Sequence, residues 1–211
     1  MKTPTLDHSA LRNGLSYSPG LVLGTGRCGT TSAAKLISIQ ENGHGQHEAV
    51  YLPWERDWDA FREAMGEVHA RGKRFVGVGF MWLRYAEAFR EVYPESPIIA
   101  LWRERDEVVE SFIAKFGEVD WWRANGTRQS RLFPTFPPRW PLRKAIEAYW
   151  GLYMSKLRLL DQKIGVPGFH MSTLNDRPET ILEALRVERP YTIPDRPVHL
   201  CKRDDRGRGD Y

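Results

Sequence analysis

A glycine-rich turn between an apolar segment and a small-residue segment constrains this chain more than any other feature. Residues 20–24 read GLVLG, and the turn GTGRCGTT at 24–31 follows without a break. The residues after the turn, TTSAAKLISI, are first small and then apolar at helical spacing. The pattern predicts a buried strand, a tight loop and a helix, which is the unit from which parallel sheets are built.

The rest of the chain alternates between the same two kinds of segment. Further strands are predicted at 74–80, 97–103 and 168–172, and further helices at 57–72, 82–93, 106–116, 142–162 and 177–187. This alternation predicts an α/β fold, a three-layer sandwich with a central parallel sheet. Ligands bind at the carboxyl ends of the strands in such sheets. Segments 24–32 and 103–111, which each follow a predicted strand, are therefore the candidate binding segments.

Length and composition fit one domain, 1–211, with a small anionic ligand. The chain is 41% hydrophobic and 27% charged, and its net charge of +4 is too mild for a nucleic-acid lattice. No apolar run reaches the length of a membrane span and the N-terminus lacks a signal-peptide core, so we expect a cytoplasmic protein. Two cysteines, Cys28 and Cys201, and six dispersed histidines make no zinc or disulfide pattern. The oligomeric state stays open.

The turn has the spacing of a phosphate-binding loop, Gly-x-x-x-x-Gly. Its glycines let backbone N–H groups point inward, and the helix N-terminus adds positive potential. Loops for nucleoside triphosphates place a Lys directly after the second glycine, to reach the β- and γ-phosphates. Here that position is Thr30, and the cation lies inside the loop at Arg27. This arrangement favours a ligand that ends in a 5′-phosphate joined to a less charged group.

These residues resemble the P-loop sulfotransferases. GTGRCGTTS is similar to the family's 5′-phosphosulfate loop, in which Lys or Arg precedes a small residue, Gly and Thr. A second family motif is an Arg at a strand end and a Ser eight residues later, and LWRERDEVVESF supplies Arg103 and Ser111. A strand-end Arg and a helix hydroxyl can converge on one 3′-phosphate. The similar order of segments covers most of residues 20–187.

The resemblance implies a P-loop NTPase-like fold and a sulfotransferase whose motif layout is most like that of the tyrosylprotein, Golgi-like and bacterial branches. The donor would be 3′-phosphoadenosine 5′-phosphosulfate (PAPS) and the product adenosine 3′,5′-bisphosphate (PAP), with no metal required. The acceptor would be a hydroxyl or amine on a small molecule, carbohydrate or peptide. The residues implied to bind the donor lie in the loop and the second motif: Thr25, Gly26, Arg27, Cys28, Gly29, Thr30, Thr31, Ser32, Arg103 and Ser111. The tail RGRGDY (206–211) only hints at the C-terminal nucleotide loop of some members and is left out of the site.

Transfer to a hydroxyl needs a base at the attacking oxygen and positive charge at the leaving phosphate. Arg27 fits the second role. The resemblance places a Glu about 21 positions beyond the loop cation, which is Glu48, and burial has to raise its pKa for it to act near neutrality. His47 is the alternative, because His is the base in the cytosolic branch. Neighbours in an extended segment point to opposite faces, so we expect only one of the two to reach the site.

A long irregular segment, 117–141, is predicted between two helices. It holds Trp121, Trp122 and Trp140 in a basic, Pro-rich context. Long loops in compact domains are often lids or binding walls, and the tryptophans can stack on an aromatic or sugar acceptor. The alternative is that they fill the core beneath the loop.

Two other functions are consistent with the same residues. A metal-dependent nucleotide or small-molecule kinase shares the fold, although Thr30 in place of Lys argues against it. A non-catalytic module that binds PAP would keep the loop, Arg103 and Ser111 but would have no base in place.

Overall fold

The computed structural model describes residues 18–48, 58–116 and 134–195. Within them a parallel sheet has helices on both faces. Its five strands are β1 Gly20–Gly24, β2 Gly43–His47, β3 Arg74–Gly79, β4 Ile98–Trp102 and β5 Gly168–His170. Their order is β2-β3-β1-β4-β5, and every pairing is parallel. The predicted α/β fold with a central parallel sheet is confirmed.

The helices follow the predicted order, with two differences. They are α1 Thr30–Ser38, α2 Trp58–Ala70, α3 Ala86–Val92, α4 Arg105–Phe116, α5 Leu142–Ile164, α6 Thr173–Asp176 and α7 Pro178–Ala184. The short α6 was not predicted. The helix predicted at 82–93 is instead a 3₁₀ helix, Phe80–Arg84, followed by α3. A Cβ on Gly77 would lie 2.6 Å from the indole of the fully buried Trp82, so packing of this indole on β3 holds the tighter turn.

Alternate residues of β1 face two separate cores. Leu21 and Leu23 pack with α2, α3 and α5 on one face of the sheet, and Val22 packs with α1, α6 and α7 on the other. All five residues of β1 are buried. Strands covered on both faces read as continuous apolar runs, which is why GLVLG and IIALW were recognisable in the sequence.

Strand β2 was missed because its sequence, GHGQH, is polar and small. Among the described strands it lies at the edge of the sheet, where it pairs with β3. A Cβ on Gly45 would lie 2.4 Å from the carbonyl oxygen of Ala34, so helix α1 approaches this strand at backbone distance. Only glycine permits that approach. Glu48 is the residue directly after this strand, so the position of β2 determines where Glu48 lies.

The strand register gathers the candidate residues at one edge of the sheet. Gly24 at the end of β1 pairs with Leu101 of β4, and His47 at the end of β2 pairs with Val78 of β3. The phosphate loop, Glu48 and Arg103 all follow these strand ends. In the described ranges no helix has both the length and the apolar composition to cross a membrane.

Candidate active site

The loop between β1 and α1 turns through left-handed backbone conformations. Gly26, Arg27 and Gly29 have φ of 77°, 58° and 92°. Such conformations at nearby positions turn N–H groups toward a common centre. Helix α1 begins with Gly29 as its N-cap and no side chain caps it, which leaves the start of the helix suited to an anion. Strain at a non-glycine residue such as Arg27 is typical of binding loops.

Both glycines of the motif are required by close packing. A Cβ on Gly24 would lie 2.4 Å from Thr30 Cγ2 and 2.6 Å from Cys28 Sγ, and one on Gly29 would lie 2.8 Å from Leu174 Cδ1. Cys28 is fully buried, and this burial raises the pKa of its thiol. Its side chain is therefore a core group, and its backbone is the part available to a ligand.

Thr25 is also turned into the protein. Its hydroxyl donates to the Gly26 carbonyl oxygen at 2.6 Å, and its own carbonyl accepts a 2.6 Å hydrogen bond from the hydroxyl of Tyr149. Burial raises the pKa of Tyr149 well above that of a free phenol, so this hydroxyl stays protonated and keeps donating. Helix α5 thus supports the loop from below, a contact that the sequence analysis missed.

The two sequence motifs meet through their side chains. Arg27 Nε donates to Ser111 Oγ at 2.9 Å, although the residues are 84 positions apart. Arg103 Nη1 approaches the Arg27 carbonyl oxygen at 3.4 Å, while its Nε donates to Glu107 Oε2 at 2.7 Å. The backbone carbonyl of Arg103 accepts from Trp150 Nε1 at 3.0 Å. The positively charged side chain of Arg103 therefore lies beside the glycine loop that contains Arg27, and Glu107 is its counter-ion.

His47 contacts the loop hydroxyls. Its Nε2 lies 3.1 Å from Thr30 Oγ1 and 3.3 Å from Thr31 Oγ1. Burial, aided by the positive charge of Lys115, lowers the pKa of His47 to about 4. The ring is therefore neutral near pH 7 and serves as a hydrogen-bond partner of the first turn of α1.

Glu48 reaches the same region as His47. Its backbone N–H donates to the Val78 carbonyl at 2.9 Å, and its φ of 48° takes it out of the extended conformation. The carboxylate Oε1 consequently comes to 3.8 Å from His47 Nε2. The expectation that only one of these neighbours reaches the site was wrong, because alternation of side chains requires an extended backbone at both residues.

Burial raises the pKa of the Glu48 carboxyl, and the positive charges of Lys115 and Arg27 oppose that rise. A carboxylate whose pKa is raised is a better base than one in water. Lys115 is a second residue that the sequence analysis missed. It acts on both Glu48 and His47, and no spacing rule connects position 115 with positions 47 and 48.

Phe112 is the third missed residue. A Cβ on Gly26 would lie 3.2 Å from its ring, which in turn packs edge-to-face with Tyr149 at a centroid distance of 6.3 Å. In the sequence, Phe112 and Tyr149 belong to the apolar stripes of two helices and look like ordinary core residues.

The aromatic segment before α5 is only partly described. Trp140 stacks on Phe136, with ring centroids 5.5 Å apart, and Lys144 Nζ lies 4.4 Å above its ring. These contacts test neither core packing nor acceptor stacking for the half-buried Trp140, so both alternatives stay predictions. Trp121, Trp122 and the tail at 206–211 lie outside the described residues. Among residues 18–48, 58–116 and 134–195, no three His, Cys, Asp or Glu side chains are grouped as metal ligands would be.

Comparisons with known proteins add one structure. No family model and no curated protein matches the sequence. Among solved structures, the crystal structure of a sulfotransferase from Alicyclobacillus acidocaldarius is similar to this chain, with 17% identity, 82% of each chain covered and a TM-score of 0.49.

Proposed function

We propose that this protein is a sulfotransferase that moves a sulfuryl group from PAPS to an acceptor hydroxyl. The observation that carries the proposal is the hydrogen bond from Arg27 to Ser111, with Arg103 at the Arg27 carbonyl. Two separate phosphate-binding motifs thereby meet at one place, as a ligand with a 5′- and a 3′-phosphate requires. Thr30 occupies the position where a triphosphate-binding loop has its Lys.

The residues present fit such a donor. The N–H groups of the loop and of the first turn of α1, with the hydroxyls of Thr31 and Ser32, would hold the 5′-phosphosulfate. Arg103 and Ser111 would hold the 3′-phosphate through charge-assisted hydrogen bonds. The backbone of Gly26, Cys28 and Gly29 completes the loop.

The transfer follows from the same geometry. The acceptor oxygen bonds to sulfur while the bond from sulfur to the 5′-phosphate oxygen breaks, and the electron pair leaves on PAP. Glu48 takes the acceptor proton, because its raised pKa and its place after β2 suit a base. Arg27 and the N-terminus of α1 stabilise the charge that develops on the leaving phosphate.

Calorimetry with PAP in the presence of EDTA tests the proposal. We expect binding without metal and weaker binding of ATP with Mg²⁺, because the loop lacks the Lys that a γ-phosphate requires. A transfer assay with labelled PAPS and pooled acceptors then reports catalysis, with Arg27→Ala as the blank. A preference for ATP with Mg²⁺ would contradict the proposal and favour a kinase. PAP binding without transfer to any acceptor would favour a non-catalytic module.

A further inference from the structure

A cleft of about 370 Å³ opens beside the proposed catalytic site, between the 3₁₀ helix Phe80–Arg84 and the central part of α5. Its wall is largely aromatic and aliphatic, with Phe80, Met81, Tyr149, Leu152 and Tyr153 among its lining residues. Leu152 is 53% exposed. We name this feature the α5 cleft.

Two lining residues connect the α5 cleft to the proposed catalytic site. Tyr149, which lines the cleft, donates to the carbonyl of Thr25 in the glycine loop at 2.6 Å. Met81, which also lines it, and Glu48 approach Gly79 from two sides: a Cβ on Gly79 would be 3.4 Å from Glu48 Cγ and 3.7 Å from Met81 Sδ. One lining residue therefore bonds the loop, and another lies across Gly79 from Glu48.

The charge of the wall restricts the occupant. Its described lining includes Arg84 and Lys156 and contains no Asp or Glu. Lys156 is paired with Glu87, which lies outside that lining. A cationic amine would meet two like charges here, whereas a neutral or anionic molecule would not. Among the polar side chains of the wall, Tyr149 is engaged by the Thr25 carbonyl and Lys156 by Glu87, so few polar groups remain for the many hydroxyls of a sugar.

From this wall, and on the basis of the proposed function, we infer that the α5 cleft binds the acceptor and that the acceptor is a small ring alcohol or phenol. The volume is near the lower end of ligand pockets, about 300–1,000 Å³, and so suits a body of one or two rings. The acceptor hydroxyl would face Glu48. Its oxygen bonds to sulfur, its proton passes to Glu48, and PAP leaves with the electron pair of the broken sulfur–oxygen bond.

Two exposed leucines on the same helix provide a matched test. Leu152 lines the cleft, and Leu159, 50% exposed, is not part of its lining. With 2-naphthol as acceptor and labelled PAPS as donor, Leu152→Asp should raise KM about tenfold or more, since a leucine packed on a ligand contributes on the order of one decade. Leu159→Asp should leave KM unchanged. Glucosamine should be a poor acceptor for all three proteins.

Calorimetry with 2-naphthol alone and with PAP alone distinguishes a failure of the acceptor assignment from a failure of the proposed function. Loss of 2-naphthol binding in Leu152→Asp, with PAP binding intact in both variants, supports the α5 cleft as the acceptor site. Two results would overturn the acceptor assignment while leaving the proposed function standing. One is that the protein binds PAP but sulfates glucosamine in preference to 2-naphthol. The other is that Leu152→Asp and Leu159→Asp have equal KM for 2-naphthol. Absence of PAP binding in the unaltered protein overturns the proposed function itself, whatever 2-naphthol does.

Discussion

At the residue scale, the proposed transfer depends on how two adjacent side chains, His47 and Glu48, divide their tasks. His47 is neutral near pH 7 and is held by the hydroxyls of Thr30 and Thr31, so its ring nitrogen is already engaged. Glu48 is 40% exposed at its side chain and has a raised carboxyl pKa. These environments favour Glu48 as the base of the proposed reaction and His47 as a support of the loop.

Replacement of Glu48 by Gln tests this division, because Gln keeps shape and polarity but loses basicity. We expect turnover to fall by about 10²–10⁴, the usual worth of a positioned base, with PAP affinity unchanged. In the unaltered protein, kcat should rise with pH through a pKa above the ordinary value of a carboxyl. This rise of kcat with pH should be absent in Glu48→Gln. Steady-state kinetics across pH measure both effects.

His47→Asn is the matched control. Asn keeps a polar group near Thr30 and Thr31 but not the ring, so we expect a higher KM for PAPS and a largely retained kcat. An inactive His47→Asn protein beside an active Glu48→Gln protein would move the base to His47. Normal turnover in both would show that neither residue is the base.

At the scale of elements, the proposed binding of the nucleotide depends on the junction between β4 and α4. Arg103 follows the last residue of β4, and its Nε is engaged by Glu107 in the first turns of α4. Ser111 of the same helix accepts from Arg27. A 3′-phosphate has to compete with Glu107 for Arg103 and with Arg27 for Ser111, and its roughly two negative charges favour it over one carboxylate.

Arg103→Ala should weaken PAP binding by about 1.5–3 kcal/mol, the range of a hydrogen bond to a charged group. It should hardly change the binding of adenosine 5′-phosphate, which lacks the 3′-phosphate. Calorimetry with both ligands measures the difference. Arg105→Ala is the matched control, since Arg105 pairs with Asp106 on an exposed part of α4.

Glu107→Gln should act in the opposite direction. It removes the counter-ion of Arg103 and should tighten PAP binding by about two- to fivefold, the scale of an exposed ion pair. Equal losses for PAP and adenosine 5′-phosphate in Arg103→Ala, with no gain in Glu107→Gln, would make Arg103 a structural residue only.

At the scale of the whole molecule, three partly or fully buried histidines make the stability of the fold depend on pH. Burial lowers the pKa of His44, His47 and His69, each from an ordinary value of 6.5. A histidine whose pKa is lower in the folded state resists protonation there. The unfolded chain takes up the proton first, so stability is complete above about pH 6.5 and is lost as pH falls through the folded pKa.

For His47 this loss falls between pH 6.5 and about 4. We expect His47 to account for about 1–2 kcal/mol of the unfolding free energy that is lost, a value reduced by the 29% exposure of its side chain. Urea unfolding at several pH values measures it as the difference between the unaltered protein and His47→Asn. That difference should shrink as pH falls across this window. A difference that does not depend on pH would mean that His47 titrates normally.

Most of the sheet was predictable from the sequence because strands buried on both faces are continuous apolar runs, as at 20–24 and 98–102. The glycine spacing also located the tight loop between β1 and α1, since the left-handed backbone and close packing at Gly29 favour glycine there. Local chemistry decides these features, so they are visible in a local pattern.

Only the tertiary structure decided how distant residues meet. Strand β2 has no apolar pattern, because its glycines pack on the backbone of α1, so neither the strand nor the turn at Glu48 was visible. The approach of Tyr149 to the loop and the α5 cleft depend on how α5 packs across the sheet, which no spacing along the chain encodes. Glu48 and His47 come together, with Oε1 3.8 Å from Nε2, because the left-handed backbone of Glu48 ends the alternation of side chains along β2.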